Sequence, residues 1–242
     1  MIGLQSPDIN RGIQNNGWGD QGVFVGYACR GVGMISRELY LARKINNALY
    51  NNARRSDNLG LDIKTQVTID DNDEIDTVVV AIPMLHPVDL SEFIVKELGG
   101  RPKKLIINGT GVYQYHSSVA DCGVTGRKLA CDFYSVTCPI GGGAPWTKDA
   151  TKADLTLNLY ARQLAIESLH DNDECTVFLS SCIGLSELPS ARICIVKDGQ
   201  IQVQELALDL SPEELISKMD LRRPCFASMC RNGFIDIKHV SL

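Results

Sequence analysis

The sequence predicts an α+β fold in which helices lie on mostly antiparallel sheets. Residues 36–54 carry apolar side chains at helical intervals, and 65–83 reads as two β-branched runs around an acidic turn. The second half repeats this order of elements. Pairing between strands that are close in sequence favours an α+β fold over a doubly wound parallel sheet. We expect two such sheet-plus-helix modules, one over 31–118 and one formed by 1–30 with 119–242.

The first half is predicted to contain two helices and three strands. Ser36 is a candidate N-cap for the first helix, and a second helix over 88–98 ends at two glycines. The acidic run 70–76 is predicted to be a hairpin turn. The predicted strands are 65–69, 77–83 and 105–108.

The second half has the longest helical pattern of the chain, over 151–169. Ser211, with Glu214 three residues later, forms a capping box for a short helix over 211–219. The predicted strands are 128–137, 175–182, 191–196 and 201–206.

Composition argues against several classes of partner. A formal net charge of -5, with no long basic run, disfavours nucleic acid. No apolar stretch approaches the roughly 20 residues that cross a bilayer. The first residues include neither a basic nor an apolar leader, so we expect a cytoplasmic location. The 9 cysteines include no Cys-x-x-Cys pair and are expected to be reduced and free of zinc.

The strongest functional signal lies between residues 121 and 154. The segment reads DCGVTGRK and then GGGAPWTKDATKAD, and residues 141–143 are called the glycine run below. Its four cations are Arg127, Lys128, Lys148 and Lys152. Cations can neutralise a polyphosphate, and glycines let the backbone approach it closely. A solvated charged surface is the simpler alternative, but the cations here are framed by glycines and flanked by acids.

In order and spacing, these motifs resemble the central signature of the methionine adenosyltransferase (S-adenosylmethionine synthetase) family, which reads close to DxGLTGRK and GGGAFSGKDPxKVD. That family is built from similar α+β modules. Three further matches are QSPDI at 5–9, GWGDQG at 17–22 and DIKTQVT at 62–68. NGTGVY at 108–113 stands where the family has NPTGRF, so Val112 replaces an arginine and Tyr113 replaces an aromatic ring that stacks on adenine.

The resemblance implies formation of S-adenosylmethionine from ATP and L-methionine, with release of phosphate and diphosphate. It assigns catalysis to Lys148, Arg127 and Lys128. It assigns ATP binding to these three residues and to Asp62, Lys64, Tyr113, Asp121 and Ala144. It assigns methionine binding to Gln5, Asp20, Asp121 and Lys152. It also implies Mg²⁺ at Asp154 and a potassium ion for which the sequence suggests no ligand.

Family chains carry an HPDK motif before QSPDI, whereas this sequence begins four residues before Gln5. HPVD at 86–89 follows QSPDI and precedes a helix, so we interpret Asp89 as an acid at the helix start and His86 as non-catalytic. We expect a homo-oligomer or hetero-oligomer in which a partner polypeptide supplies the HPDK segment.

We therefore expect the isolated chain to be weakly active or inactive. Two alternatives stay open. One is a non-catalytic homologue that binds and regulates a full-length synthetase. The other is a rearranged ATP-dependent enzyme with an altered substrate.

Overall fold

The computed structural model describes most of the chain, namely residues 6–14, 16–124, 126–231 and 233–235. The chain divides into two units, one formed by 1–35 with 125–242 and the other by 36–124. Each unit has its own sheet with helices against it. Of the five strand pairings in the described residues only one is parallel, so the predicted α+β class with mostly antiparallel sheets is confirmed.

The bounds of the elements follow in chain order. The α-helices are α1 (Pro7–Gln14), α2 (Arg37–Ala53), α3 (Ser91–Leu98), α4 (Leu129–Asp132), α5 (Ala153–Glu167), α6 (Pro212–Lys218) and α7 (Phe226–Met229). The strands are β1 (Gly22–Cys29), β2 (Lys64–Ile69), β3 (Ile75–Ala81), β4 (Lys104–Ile107), β5 (Glu174–Ser181), β6 (Ser190–Lys197) and β7 (Gln200–Glu205). Short 3₁₀ helices cover Val32–Met34, Ser117–Val119, Pro145–Thr147 and Gly233–Ile235.

The unit over 36–124 is a three-stranded sheet in the order β2-β3-β4. β2 and β3 form the predicted antiparallel hairpin, and Asp70 Oδ1 closes its turn by accepting the N–H groups of Asn72 and Glu74. β4 is parallel to β3, because the intervening helix α3 provides the long crossover that parallel pairing requires. Apolar side chains of α2, such as Ile45 and Leu49, are fully buried in its core.

The other unit is a four-stranded antiparallel sheet in the order β1-β5-β6-β7. Helix α5 lies across β1 and β5 and is buried on nearly every side. This close approach depends on Gly26, since a Cβ there would lie 1.9 Å from the Ala161 carbonyl carbon. β1 is an edge strand of this sheet, so one side of its backbone is left for other groups.

Most predicted elements are confirmed to within three residues at each end. The predicted strand over 128–137 is wrong. Helix α4 and turns occupy this segment, because Phe133 and Tyr134 are buried in an aromatic cluster and Ser135 has a φ of 61°. Sequence analysis missed both α1 and β1. Within the described residues, no helix has the length and apolar character that crossing a membrane requires.

Candidate active site

The glycine run lies along the free edge of β1. The N–H of Gly142 donates to Val23 O at 2.8 Å. Asn158, fully buried on α5, joins the same edge, because its Oδ1 accepts the Val25 N–H at 2.9 Å. Its Nδ2 donates to Gly142 O at 3.2 Å and to Asp154 O at 2.6 Å. One side chain therefore ties together β1, the glycine run and the first turn of α5.

At two of the three positions of this run, a side chain larger than hydrogen does not fit. A Cβ at Gly141 would lie 2.1 Å from Asn158 Oδ1. Gly143 has a φ of +80°, and a Cβ there would lie 1.4 Å from Asp154 Oδ1. The backbone of the run is thus in direct contact with the carboxylate predicted to bind magnesium.

Asp154 forms an ion pair with Lys148. The distance from Lys148 Nζ to Asp154 Oδ2 is 2.9 Å, although the two groups lack the alignment of a hydrogen bond. Asp154 is 5% exposed, whereas Lys148 is partly exposed. The cation therefore lies at the opening of the site and the anion beneath it.

The loop between Lys148 and α5 is held by its own side chains. Asp149 Oδ1 accepts hydrogen bonds from the N–H and the hydroxyl of Thr151. Burial opposes the charge of Asp149, but these hydrogen bonds and nearby Lys152 outweigh it, so the pKa of Asp149 lies below its ordinary value. Thr156 on α5 donates to Ala150 O at 2.6 Å.

The two parts of the signature meet at Gly126. A Cβ on this residue, which has a φ of +81°, would lie 3.2 Å from Ala144 Cβ and 3.4 Å from Thr147 Cγ2. Arg127 and Lys128 follow directly in the chain, and both are exposed. The structure thus brings Gly126 to the end of the glycine run and leaves the two cations that follow it exposed to solvent.

Lys152 lies near the GWGDQG turn. A Cβ at Gly19 would be 3.9 Å from Lys152 Nζ, and Gly19 precedes the exposed Asp20. Asp20 is fixed on both sides, since its Oδ1 accepts the Gln21 N–H at 2.8 Å and its carbonyl accepts the Ser181 hydroxyl at 2.8 Å. Of the four residues predicted to bind methionine, Lys152 and Asp20 therefore lie close together in the sequence-distant turn and loop of this unit. Asp121 belongs to the unit over 36–124, and Gln5 lies outside the described residues.

The remaining predicted residues belong to the unit over 36–124. Asp62 Oδ2 accepts the Ser117 N–H at 3.1 Å, and Ser117 O accepts the Asp121 N–H at 3.0 Å. Burial, together with the negative charge of Asp62, raises the pKa of Tyr113. Lys64 is exposed at the start of β2. Asp62, Tyr113 and Asp121 thus form one local group in this unit.

The HPVD segment has a structural role. The N–H of His86 donates to Asn58 Oδ1 at 2.7 Å, and its carbonyl accepts from Asn58 Nδ2 at 2.9 Å. Asp89 Oδ1 accepts the Ser91 N–H at 2.8 Å, and hydrogen bonding from Ser91 keeps the pKa of Asp89 below its ordinary value. The sequence predicted Asp89 as an acid of the first helical turn. The structure instead places it two residues before α3, where it accepts the N–H of the first helical residue, and Leu90 is the N-cap.

Sequence analysis missed two buried polar residues of α5, Asn158 and Arg162. Arg162 donates to the carbonyls of Tyr27, Gly33 and Met34, and its guanidinium lies 5.5 Å from the centre of the Tyr134 ring. Burial lowers the pKa of Arg162. No local signal distinguishes these two residues, because α5 contains further polar residues such as Thr156 and Gln163.

An α+β fold with cations and a buried carboxylate around a glycine run defines the class of site. Two family models match the chain: the S-adenosylmethionine synthetase central domain over residues 15–111 and the C-terminal domain over 116–242. An S-adenosylmethionine synthase of Helicobacter acinonychis is 32% identical in an alignment of 259 residues that covers 93% of this chain and 67% of that protein. A Wolinella succinogenes S-adenosylmethionine synthase is 31% identical in an alignment of 266 residues that covers 96% of this chain and 68% of that protein.

Among solved structures, an unusual S-adenosylmethionine synthetase from Campylobacter jejuni superposes with a TM-score of 0.74 at 29% identity. The match covers 95% of this chain and 67% of that one. The chain belongs to the S-adenosylmethionine synthetase family, and the resemblance inferred from the motifs is confirmed.

Proposed function

We propose that the chain forms S-adenosylmethionine from ATP and L-methionine, acting together with a polypeptide segment beyond its own 242 residues. The observation that carries the proposal is the glycine run fixed against α5 above the Lys148–Asp154 pair. An open backbone beside a partly exposed cation suits the oxygens of a polyphosphate.

The proposed reaction is a displacement followed by a hydrolysis. The methionine sulfur attacks C5′ of ATP, so that a C–S bond forms as the C5′–O bond breaks and its electron pair passes to triphosphate. Water then cleaves the triphosphate into phosphate and diphosphate. The proposed roles of Lys148, Arg127 and Lys128 are to hold the triphosphate in line and to balance its growing charge.

The other predicted residues are proposed to bind the rest of the substrates. The flat ring of Tyr113 suits adenine, and Asp62, Lys64 and Asp121 accompany it on the nucleotide side. Ala144 lines the nucleotide beside the glycine run. Methionine is proposed to contact Gln5, Asp20, Asp121 and Lys152, whose charges complement its ammonium and carboxylate groups.

Asp154 is the residue that fits Mg²⁺. Its Oδ2 is buried without an aligned hydrogen bond, and carboxylate oxygens are ligands that Mg²⁺ prefers. Among the described residues there is no group of three or more His, Cys, Asp and Glu that could hold a metal, but Mg²⁺ is commonly bound by one or two carboxylates and substrate phosphates. Bound Mg²⁺ would neutralise phosphate charge.

The proposal includes a partner polypeptide that carries HPDK and completes the site in an oligomer. The matching family models are those of the central and C-terminal domains, and the chain spans 67% of the first relative. A regulatory homologue and a rearranged ATP-dependent enzyme are the alternatives, and both make different predictions for catalysis.

Binding of tripolyphosphate and ATP by calorimetry, with Mg²⁺ supplied, tests the proposed site. Replacing both Lys148 and Lys128 by alanine is expected to weaken tripolyphosphate binding at least about tenfold, because each lost charge-assisted contact contributes roughly 1 kcal/mol or more. Lys96→Ala, at the end of α3, is the control for loss of a lysine. Failure of the unsubstituted chain to bind either ligand would disprove the proposal.

A further inference from the structure

We infer that Asn158 is a positioning residue for the polyphosphate site, because its amide holds the glycine run in the conformation that receives phosphate oxygens. The inference rests on the proposed function, since it concerns the same site. Asn158 is fully buried and is therefore not a catalytic residue itself.

The argument begins with the edge of β1. An edge strand leaves alternate N–H and C=O groups without a strand partner, and buried groups of this kind must be satisfied. The N–H of Gly142 donates to the carbonyl of Val23, and Asn158 Oδ1 accepts the N–H of Val25. The side-chain amide thus does at Val25 what the backbone of a neighbouring strand would do.

The amide of Asn158 uses all of its donors. A primary amide has two N–H groups, and here they reach Gly142 O at 3.2 Å and Asp154 O at 2.6 Å. The reversed orientation of the amide would direct N–H groups at the Val25 N–H, so the contacts fix the orientation. Asparagine is consequently the residue that satisfies β1, the glycine run and α5 at once.

The effect on the site follows from two contacts of Asp154. Gly143 lies directly against Asp154 Oδ1, and Asp154 Oδ2 pairs with Lys148. If the glycine run moves away from α5, the backbone donors, the carboxylate and the lysine lose their relative positions. Binding sites lose affinity steeply when supporting contacts leave them about 1 Å too loose.

The test is Asn158→Asp, which has nearly the same shape. An ionised aspartate still accepts from Val25 but cannot donate to Gly142 or Asp154. We expect the affinity for tripolyphosphate near about pH 8 to fall at least about tenfold relative to the unsubstituted chain. Because this substitution also adds a negative charge, Asn158→Ala, which removes the amide and adds no charge, is measured beside it and is expected to lose affinity as well.

A matched control separates positioning from stability. Gln163, also buried on α5, donates to Glu167 on its own helix and does not contact the glycine run. Gln163→Met is expected to alter the melting temperature while leaving tripolyphosphate affinity unchanged. All affinities are measured well below the melting temperature of each variant, so that unfolding does not contribute.

The outcomes are distinct. The positioning role is wrong if the unsubstituted chain binds tripolyphosphate and Asn158→Asp binds it equally well at about pH 8. It is also wrong if Gln163→Met loses as much tripolyphosphate affinity as Asn158→Asp does. If Asn158→Asp does not fold, Asn158→Ala alone provides the test, and unchanged affinity again refutes the role. If the unsubstituted chain binds no tripolyphosphate, the proposed function fails, and the inference fails with it.

Discussion

Lys148 can pair with Asp154 or with a bound polyphosphate, but its single charge cannot serve both fully. The pair is close, at 2.9 Å, and lies where one partner is buried and the other partly exposed. Phosphate oxygens therefore compete with Asp154 for the ammonium group. In the proposed site, a divalent cation at Asp154 would relieve this competition.

This competition predicts the behaviour of Asp154→Asn. Without divalent ions, the variant is expected to bind tripolyphosphate about three- to tenfold more tightly, because Lys148 is released and a negative charge is removed. The additional affinity that Mg²⁺ provides should decrease in the same variant. Calorimetric titration with and without Mg²⁺ measures both effects.

The control is Asp209→Asn, which removes the same charge from an exposed position. It should change tripolyphosphate affinity little in either condition. An Asp154→Asn variant that keeps the full Mg²⁺ effect would refute the assignment of this carboxylate as the metal ligand.

A second residue-scale prediction concerns the Cys138 thiol. Burial raises its pKa to about 12, although the positive charge of Arg162 acts in the opposite direction. The thiolate is the reactive form, and its greater basicity compensates only in part. We expect alkylation of Cys138 at about pH 8 to be roughly ten- to a hundredfold slower than that of the exposed Cys122.

Peptide mapping of iodoacetamide-treated protein by mass spectrometry measures the two rates. In denaturant, both cysteines should react at similar rates, which controls for local sequence. Equal rates in the folded protein would contradict the burial of the Cys138 thiol.

At this scale, the sequence identified the charged candidates for the site but missed the buried polar residues that hydrogen-bond around them. Lys148, Lys152 and Asp154 carry their signal in residue type and local order. Asn158 and Arg162 have no such signal in the local sequence, because their hydrogen-bond partners in β1 are 133 and 135 residues away along the chain. A supporting hydrogen bond between distant segments leaves no local pattern to read.

Among the elements, α5 approaches β1 as closely as it does because Gly26 has no side chain. A Cβ at Gly26 would lie within 1.9–2.2 Å of backbone atoms of Ala161 and Arg162. Backbone atoms cannot move away from a new side chain as the end of a flexible side chain can. Any substitution of Gly26 must therefore separate β1 from the helix. Since α5 carries Asp154 and Asn158, this separation would also reach the candidate site.

Gly26→Ala is therefore expected to lower the free energy of unfolding by about 1–3 kcal/mol or more, as overpacking does. Denaturant-induced unfolding measures the change. Gly100→Ala is the matched control, because a Cβ there would have nothing within 4 Å, and it should be neutral or slightly stabilising. Equal stability of the two variants would contradict the close approach of α5 to β1.

Two elements show why local patterns predict some structure and miss the rest. The capping box of α6 is confirmed, with the Ser211 hydroxyl accepting the Glu214 N–H, because all of its contacts are local. The predicted strand 128–137 is wrong because its apolar residues pack in an aromatic cluster that includes Phe234. β1 was missed although it pairs with β5, since its sequence GVFVGYAC contains glycines that weaken a strand signal.

For the whole molecule, the motifs predicted the family, but they do not determine how the activity is assembled. The predicted residues are divided between the two units, with Asp62, Lys64, Tyr113 and Asp121 in one and the other described ones in the second. The residues proposed to bind substrate are therefore spread along the chain. The HPDK histidine that the resemblance implies is not among the residues described above.

The last prediction concerns that assembly. The purified chain is expected to bind tripolyphosphate but to form S-adenosylmethionine at least about a hundredfold more slowly than a mixture with a polypeptide that carries HPDK, because losing one positioned catalytic group costs about 2.7–4 kcal/mol. Native mass spectrometry of the complex and a product assay on the chain, the partner and their mixture measure this. Full activity of the chain alone would favour the rearranged enzyme. A stable mixed oligomer whose activity is unaffected when Lys148 and Lys152 become alanine would favour the regulatory homologue.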